Sequence, residues 1–148
     1  MKTQILTLFS IFIIILNNFT GCASADSNNK SNNLHCKSRK IMVRLTTYSK
    51  TEAKCDKWTR RGQSSTGIRL KEGVTAAVDP NIIPYFSKIE LPEVKLSLVS
   101  LDTGSAVVKR TASRKTGGQI IIDVFFEKES TARQFRLNNP EIVEAHIY

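Results

Sequence analysis

The chain has 148 residues and carries 22 Lys and Arg against 13 Asp and Glu, a formal net charge of +9. About 109 residues lie from residue 40 onward, enough for one compact domain and too few for two. Such a basic chain favours anionic partners through long-range, salt-sensitive attraction. Nucleic acid is the weaker choice, because the basic residues are scattered, with runs only at Lys57–Arg61 and Lys109–Lys115, and no recognition motif accompanies them.

In chain order, residues 1–21 come first. Lys2 and the apolar run Ile5–Leu16 read as a secretory signal peptide, since the run is shorter than the roughly 20 residues needed to span a bilayer. The protein is therefore expected to be exported to the cell envelope. Phe19-Thr20-Gly21-Cys22 resembles the bacterial lipobox, although Phe19 stands where Leu is usual. That resemblance implies lipidation of Cys22 and a membrane anchor; the alternative is ordinary cleavage after Ala23 or Ala25, which leaves a soluble secreted protein. Removing Lys2 with the signal leaves 21 basic against 13 acidic side chains, a net charge of +8. Residues 22–40, with the polar stretch Asp26–Asn33, read as a flexible tether, and residues 41–148 as the folded domain.

With Cys22 lipidated, Cys36 and Cys55 form an even pair in an oxidising compartment, open to a disulfide or to two free thiols. No metal site or cofactor is expected: His35 and His146 are far apart in sequence and no Cys-x-x-Cys accompanies them.

The pattern over 41–148 is mostly strand. Ile41–Tyr48, Gly73–Val78, Lys88–Leu91, Val94–Leu101, Ala106–Lys109 and Gln119–Phe126 are short, apolar and rich in β-branched residues, and Ile142–Tyr148 alternates well enough for a final strand. A small barrel or sandwich follows. Asp79-Pro80 predicts a capped helical turn ending at Pro84, and Ser130–Leu137 a short helix capped by Ser130 or Thr131 and stopped at Asn138, Asn139 and Pro140.

Three aspartates, Asp79, Asp102 and Asp123, sit in or beside these apolar runs, in VTAAVDPNIIP, LSLVSLDTG and QIIIDVFFE. A carboxylate there costs free energy unless it is paired or hydrogen-bonded, so the placement marks a site or a buried network.

The motifs RLTTYS (Arg44–Ser49), SSTGIRLKEG (Ser64–Gly73), VTAAVDPNIIP (Val74–Pro84), LDTGSAV (Leu101–Val107) and IIIDVFFE (Ile120–Glu127) occur in an order that resembles the three-aspartate domain. That domain is found in membrane-bound lytic transglycosylase A and in several exported cell-wall proteins. The resemblance covers roughly Val43–Phe126. It implies an all-β fold, a six-stranded double-psi β-barrel with short helices, and peptidoglycan glycan strands as the partner. It further implies that Asp123 is the catalytic acid and base with Asp102 in support, while Asp79 is structural, capping a turn.

The implied reaction is cleavage of the bond between N-acetylmuramic acid and N-acetylglucosamine, giving a 1,6-anhydro product. One carboxyl suffices. It must be protonated beforehand, and apolar neighbours Ile121, Ile122, Val124 and Phe125, with Asp102 nearby, are placed to raise its pKa. A two-carboxylate glycoside hydrolase is the competing use of Asp102 and Asp123.

Thr46 and Tyr48 are expected on the opposite strand face from Thr47, and either face is available to line a groove. Trp58, in a basic loop, is a sugar-stacking platform or a loop anchor. Thr66, Gly67, Thr103 and Gly104 complete the expected substrate-binding set. Plainer roles stand beside these: Asp102 as a turn former, Asp123 as a structural acid, Tyr48 as a core residue.

Three departures separate the chain from the transglycosylase pattern. The basic segment Lys109–Gln119 lengthens the stretch between Asp102 and Asp123; it reads as a solvated hairpin tip or as a groove wall contacting carboxylates. Ser105 replaces a glycine after Asp-Thr-Gly, and Tyr85-Phe86 replaces a commoner Leu-Gly. The resemblance includes no counterpart of the transglycosylase's second domain, so an open groove is expected. A non-catalytic glycan-binding lipoprotein on the same barrel is therefore the second function carried forward.

Overall fold

The computed structural model describes residues 38–148. The signal peptide, Cys22, most of the tether and Cys36 lie outside these residues. Among the described residues, no helix is long and apolar enough to cross a membrane.

Six strands form the domain: β1 (Arg39–Ser49), β2 (Thr75–Ala77), β3 (Lys88–Leu91), β4 (Leu96–Asp102), β5 (Ile120–Phe126) and β6 (Ile142–Ile147). Three short helices accompany them, α1 (Lys57–Arg60), α2 (Ser105–Val108) and α3 (Glu129–Asn138). The strands close in the order β1-β5-β2-β4-β3-β6. β1–β5 and β2–β4 are parallel; β1–β6, β2–β5, β3–β4 and β3–β6 are antiparallel. Exchanging β1, β2 and β3 for β4, β5 and β6 leaves every pairing unchanged in partner and sense. The expected six-stranded barrel is present, built from two equivalently paired halves.

Alternation along the strands sorts side chains to two faces. Val43, Leu45, Ala76, Val78, Leu98, Ile122, Val124, Phe126, Val143, Ala145 and Ile147 belong to one core cluster filling the barrel. A second cluster, Ala77, Val107 and Ile121 with Tyr48 packed against it, lies on the opposite face of β2 and β5. Asp123 stands on that second face, between Ile121 and Phe125.

Four local expectations are corrected. Ala106–Lys109 is not a strand: α2 occupies it, with the N–H groups of Val107 and Val108 both donating to Gly104 O at 3.0 Å. A closed barrel leaves no edge for another strand, and β6 takes the sixth place, so Val107 packs on Ala77 and Ile121 at the outer face while Val108 stays exposed. The segment Lys109–Gln119 is not a hairpin tip; it holds a 3-10 turn at Thr111–Ser113 and turns at Gly117 and Gly118, both at positive φ. α3 starts one residue before the predicted cap, with Lys128 at the cap position and no side-chain cap bond. Trp58 lies in α1 rather than in a loop; Asp56 caps this helix by accepting from Trp58 N at 2.7 Å and Thr59 N at 3.1 Å.

Asp79 holds its expected turn. Its Oδ1 accepts from Asn81 N at 3.0 Å, and its carbonyl accepts from Ile82 N and Ile83 N, each at 2.9 Å.

Candidate active site

β2 is the hinge of the site. Ala77 pairs with Asp102 on one side and with Asp123 on the other. Two interstrand spacings therefore place the two aspartate backbones about 10 Å apart. The pairing of β2 with β4 steps from Ala76–Ser100 to Ala77–Asp102, skipping Leu101. This irregularity turns Asp102 toward the face carrying Ala77 and Asp123; without it, strict alternation would leave Asp102 on the face of Ser100.

Both acids line a groove of about 520 Å³ together with Thr46, Tyr48, Glu52, Thr103 and Gly104. The segment Lys54–Thr59 supplies one wall, and α2 with Thr111 and Ala112 the other. A second cavity of about 360 Å³ shares Asp56, Thr59, Asp102 and Thr103 with the groove and continues it to Trp58, Ser65 and Gly67.

The environments of the acids differ sharply. Asp102 is 6% exposed. Its Oδ2 accepts from the Tyr48 hydroxyl at 2.8 Å, and its Oδ1 from Ser65 N at 2.8 Å and Thr103 N at 2.9 Å. Thr103 Oγ1 in turn donates to Val78 O at 2.8 Å, and Thr66 Oγ1 to Leu101 O at 2.8 Å, tying the loops to the strand ends. Burial, followed by Asp102 beside it, pushes the Tyr48 phenol well above its ordinary pKa, so Tyr48 stays a donor.

Asp123 receives one hydrogen bond from a described side chain, from Thr46 Oγ1 at 2.6 Å. Burial pushes its carboxyl up to about 7; the Thr46 bond pulls the other way, Glu52 and Asp102 add to the rise, and Arg136 opposes it. Asp123 is therefore held near the midpoint between acid and base at neutral pH, as one group donating and then accepting a proton requires.

The expected alternation on β1 is resolved. Thr46 and Tyr48 both reach the aspartates, whereas Thr47 accepts from Arg136 on α3. Trp58 is 49% exposed at the rim of the second cavity, flanked by Lys57 Nζ at 5.0 Å and the Arg61 guanidinium at 5.8 Å from its ring centre. Gly67, at φ +83, lines the same cavity, and a Cβ there would meet nothing within 4 Å. Gly104 precedes α2 with similar open space. Thr66 is bonded to the loop and the end of β4 and is not among the cavity-lining residues. Cys55 lines the groove, its thiol donating to Asp56 O at 3.4 Å. Among the described residues, no cluster of His, Cys, Asp and Glu is arranged to hold a metal.

Sequence reasoning missed Glu52 and Asp56 on the groove wall and Arg136 beside it. Asp56 had a local signal, since D-x-x-T precedes a short basic helix. Glu52 and Arg136 had none, because they meet Asp123 only through the folding of β1 against β5 and α3.

No protein-family model matches the chain. In sequence it is 33% identical over 117 residues to YabE of Bacillus subtilis (strain 168), whose name assigns it to cell-wall shaping. The match covers 76% of this chain and 25% of that protein, so the chain spans about a quarter of its relative's length. Among solved structures, MltA from E. coli overlaps with a TM-score of 0.39 at 17% identity, over 57% of this chain and 26% of that one. The lytic transglycosylase LtgG of Burkholderia pseudomallei overlaps with a TM-score of 0.35 at 18% identity, over 57% and 24%. Overlaps this loose carry no argument, and the barrel rests on its own strand pairing. The chain resembles the three-aspartate domain in the order of its motifs and in its closed six-stranded barrel.

Proposed function

We propose that the protein is an exported, peptidoglycan-active enzyme that cleaves the bond between N-acetylmuramic acid and N-acetylglucosamine by lytic transglycosylation. The observation that carries this reading is Asp123: a carboxyl between Ile121 and Phe125, facing an open groove, accepting one side-chain hydrogen bond, with its pKa raised to about 7. The similarity to a cell-wall shaping protein supports the substrate class.

In the proposed reaction, protonated Asp123 gives its proton to the glycosidic oxygen as the bond to the muramoyl anomeric carbon breaks. The resulting carboxylate takes the proton of the muramoyl C6 hydroxyl, whose oxygen closes on the anomeric carbon. The 1,6-anhydro ring forms, Asp123 is again protonated, and no water is consumed. Thr46 orients the carboxyl through its hydrogen bond. Asp102 serves as a positioning residue: its three bonds fix Tyr48, Ser65 and Thr103 around the groove, and its charge favours the protonated form of Asp123. The two-carboxylate hydrolase is disfavoured, because both Asp102 oxygens are already occupied by donors. Trp58 would stack on a sugar face further along the groove.

The burial of Asp102 favours a second reading, in which the groove binds glycan without cutting it. Incubation with peptidoglycan sacculi separates the two. Release of anhydromuropeptides, detected by mass spectrometry and lost in Asp123→Asn, is expected of the enzyme. No release, or equal release by the variant, removes the catalytic proposal, and sacculus binding that persists then supports the binding protein.

A further inference from the structure

A third cavity, of about 310 Å³, shares Thr46, Thr47 and Ala112 with the groove and no lining residue with the Trp58 cavity. Two arginines line it, Arg44 on β1 and Arg136 on α3, together with Asn139 and the rim residue Glu141. Arg44 is fixed. Its side chain is only 13% exposed, one terminal nitrogen donates to Thr116 Oγ1 at 2.7 Å, and the other pairs with Glu141. Its Nε is buried without a protein partner among the described residues. Arg136 is bound from two sides, donating to Thr47 Oγ1 and, at 2.8 Å, to Glu129 Oε1.

A guanidinium carries five N–H donors in a planar fork matched to a carboxylate, and Glu129 and Thr47 engage only part of that of Arg136. Glu129 does not line the cavity, and Glu141 is matched with Arg44. Lys109, Arg110, Arg114 and Lys115 flank Ala112 in sequence, in a segment whose Thr116 accepts from Arg44. The groove that holds Asp123 thus borders both the cavity with Trp58 and the cavity lined by Arg44 and Arg136.

We infer that the Arg136–Arg44 cavity is a carboxylate-binding subsite, which takes the acidic substituent of a muramoyl residue while that sugar sits at Asp123. The inference rests on the glycan-active reading and adds to it a basis for discrimination. A neutral chitin strand offers this cavity nothing, whereas a strand with lactyl or peptide carboxylates gains a charge-assisted, fork-like contact.

The test compares two probes by calorimetry on Asp123→Asn protein, which prevents turnover: a tetrasaccharide of alternating N-acetylglucosamine and N-acetylmuramic acid with free lactyl carboxylates, and chitotetraose. The muramoyl probe is expected to bind about tenfold more tightly, the yield of one charge-assisted hydrogen bond. Adding Arg136→Gln should reduce that preference to about twofold or less, with chitotetraose affinity unchanged, and Arg136→Lys should restore only part of it. The exposed Arg136–Glu129 pair contributes little to folding, so thermal melting should leave the variants folded. A preference that survives Arg136→Gln overturns the subsite while leaving the glycan reading intact. Failure of the Asp123→Asn protein, with Arg136 intact, to bind either probe overturns the glycan reading itself.

Discussion

Asp102 and Asp123 flank the same alanine on the same barrel face, yet their surroundings are opposed. β4 delivers its acid to a loop junction where two backbone N–H groups and a tyrosine hydroxyl converge on it. β5 delivers its acid to an apolar face where a single threonine hydroxyl answers it. A carboxylate surrounded by donors is a structural anchor; one surrounded by aliphatic carbon is kept ready to exchange a proton. Strand position alone does not set the environment of an acid; the number of donors that reach it does.

The largest effects should come from exchanging the two roles. Asp123→Asn should reduce anhydromuropeptide release by about a hundred- to ten-thousandfold, the usual range for loss of a general acid and base. Because it removes a desolvated carboxyl, it should leave the thermal midpoint at pH 8 unchanged or raised. Asp102→Ala should do the reverse in kind, destabilising the domain by about 2–4 kcal/mol by leaving two backbone donors and a buried hydroxyl without an acceptor, as read by denaturant unfolding. If the two substitutions proved alike in stability and activity, the contrast between the acids would be broken.

Smaller effects follow from the pH dependence. Asp123 has a folded pKa above its unfolded value, so its ionisation opposes folding: the cost is absent below the unfolded pKa, grows as pH rises through the interval up to about 7, and is full above it. Wild type should therefore lose stability relative to Asp123→Asn as pH rises from about 4 to about 8, and activity should fall on the alkaline side as the proton donor is lost. Thr46→Val removes the bond that favours the carboxylate and should move that alkaline limb upward; Glu52→Gln removes a repelling charge and should move it downward by less. Shifts of opposite sign would show that burial and these neighbours do not set the behaviour of Asp123. Smallest in its effect on folding, Trp58→Ala should weaken glycan binding roughly tenfold with little change in melting, since about half of that side chain is exposed.

Much of this arrangement was legible in the sequence, for identifiable reasons. The alternation of β4 and β6 reports burial directly, and the looser alternation of β1 places Thr46 and Tyr48 together opposite Thr47. Asp123 was conspicuous because an acid inside Ile-Ile-Ile-x-Val-Phe-Phe has no cheap structural explanation. The skipped residue Leu101 was not legible, because a bulge depends on pairing between strands distant in sequence, and so the manner in which Asp102 reaches the groove was hidden. α2 was misread as a strand because Val107 and Val108 carry strand propensity, while the closure of the barrel, a tertiary fact, decides their conformation. Glu52 and Arg136 act on Asp123 through space and left no spacing signature.

The central claim is that Asp123 holds its proton near neutrality while facing the groove. Titration of its side-chain carboxyl carbon by NMR tests this directly. A midpoint at about 7 is predicted; a midpoint at about 4, the ordinary value for an aspartate, would contradict it.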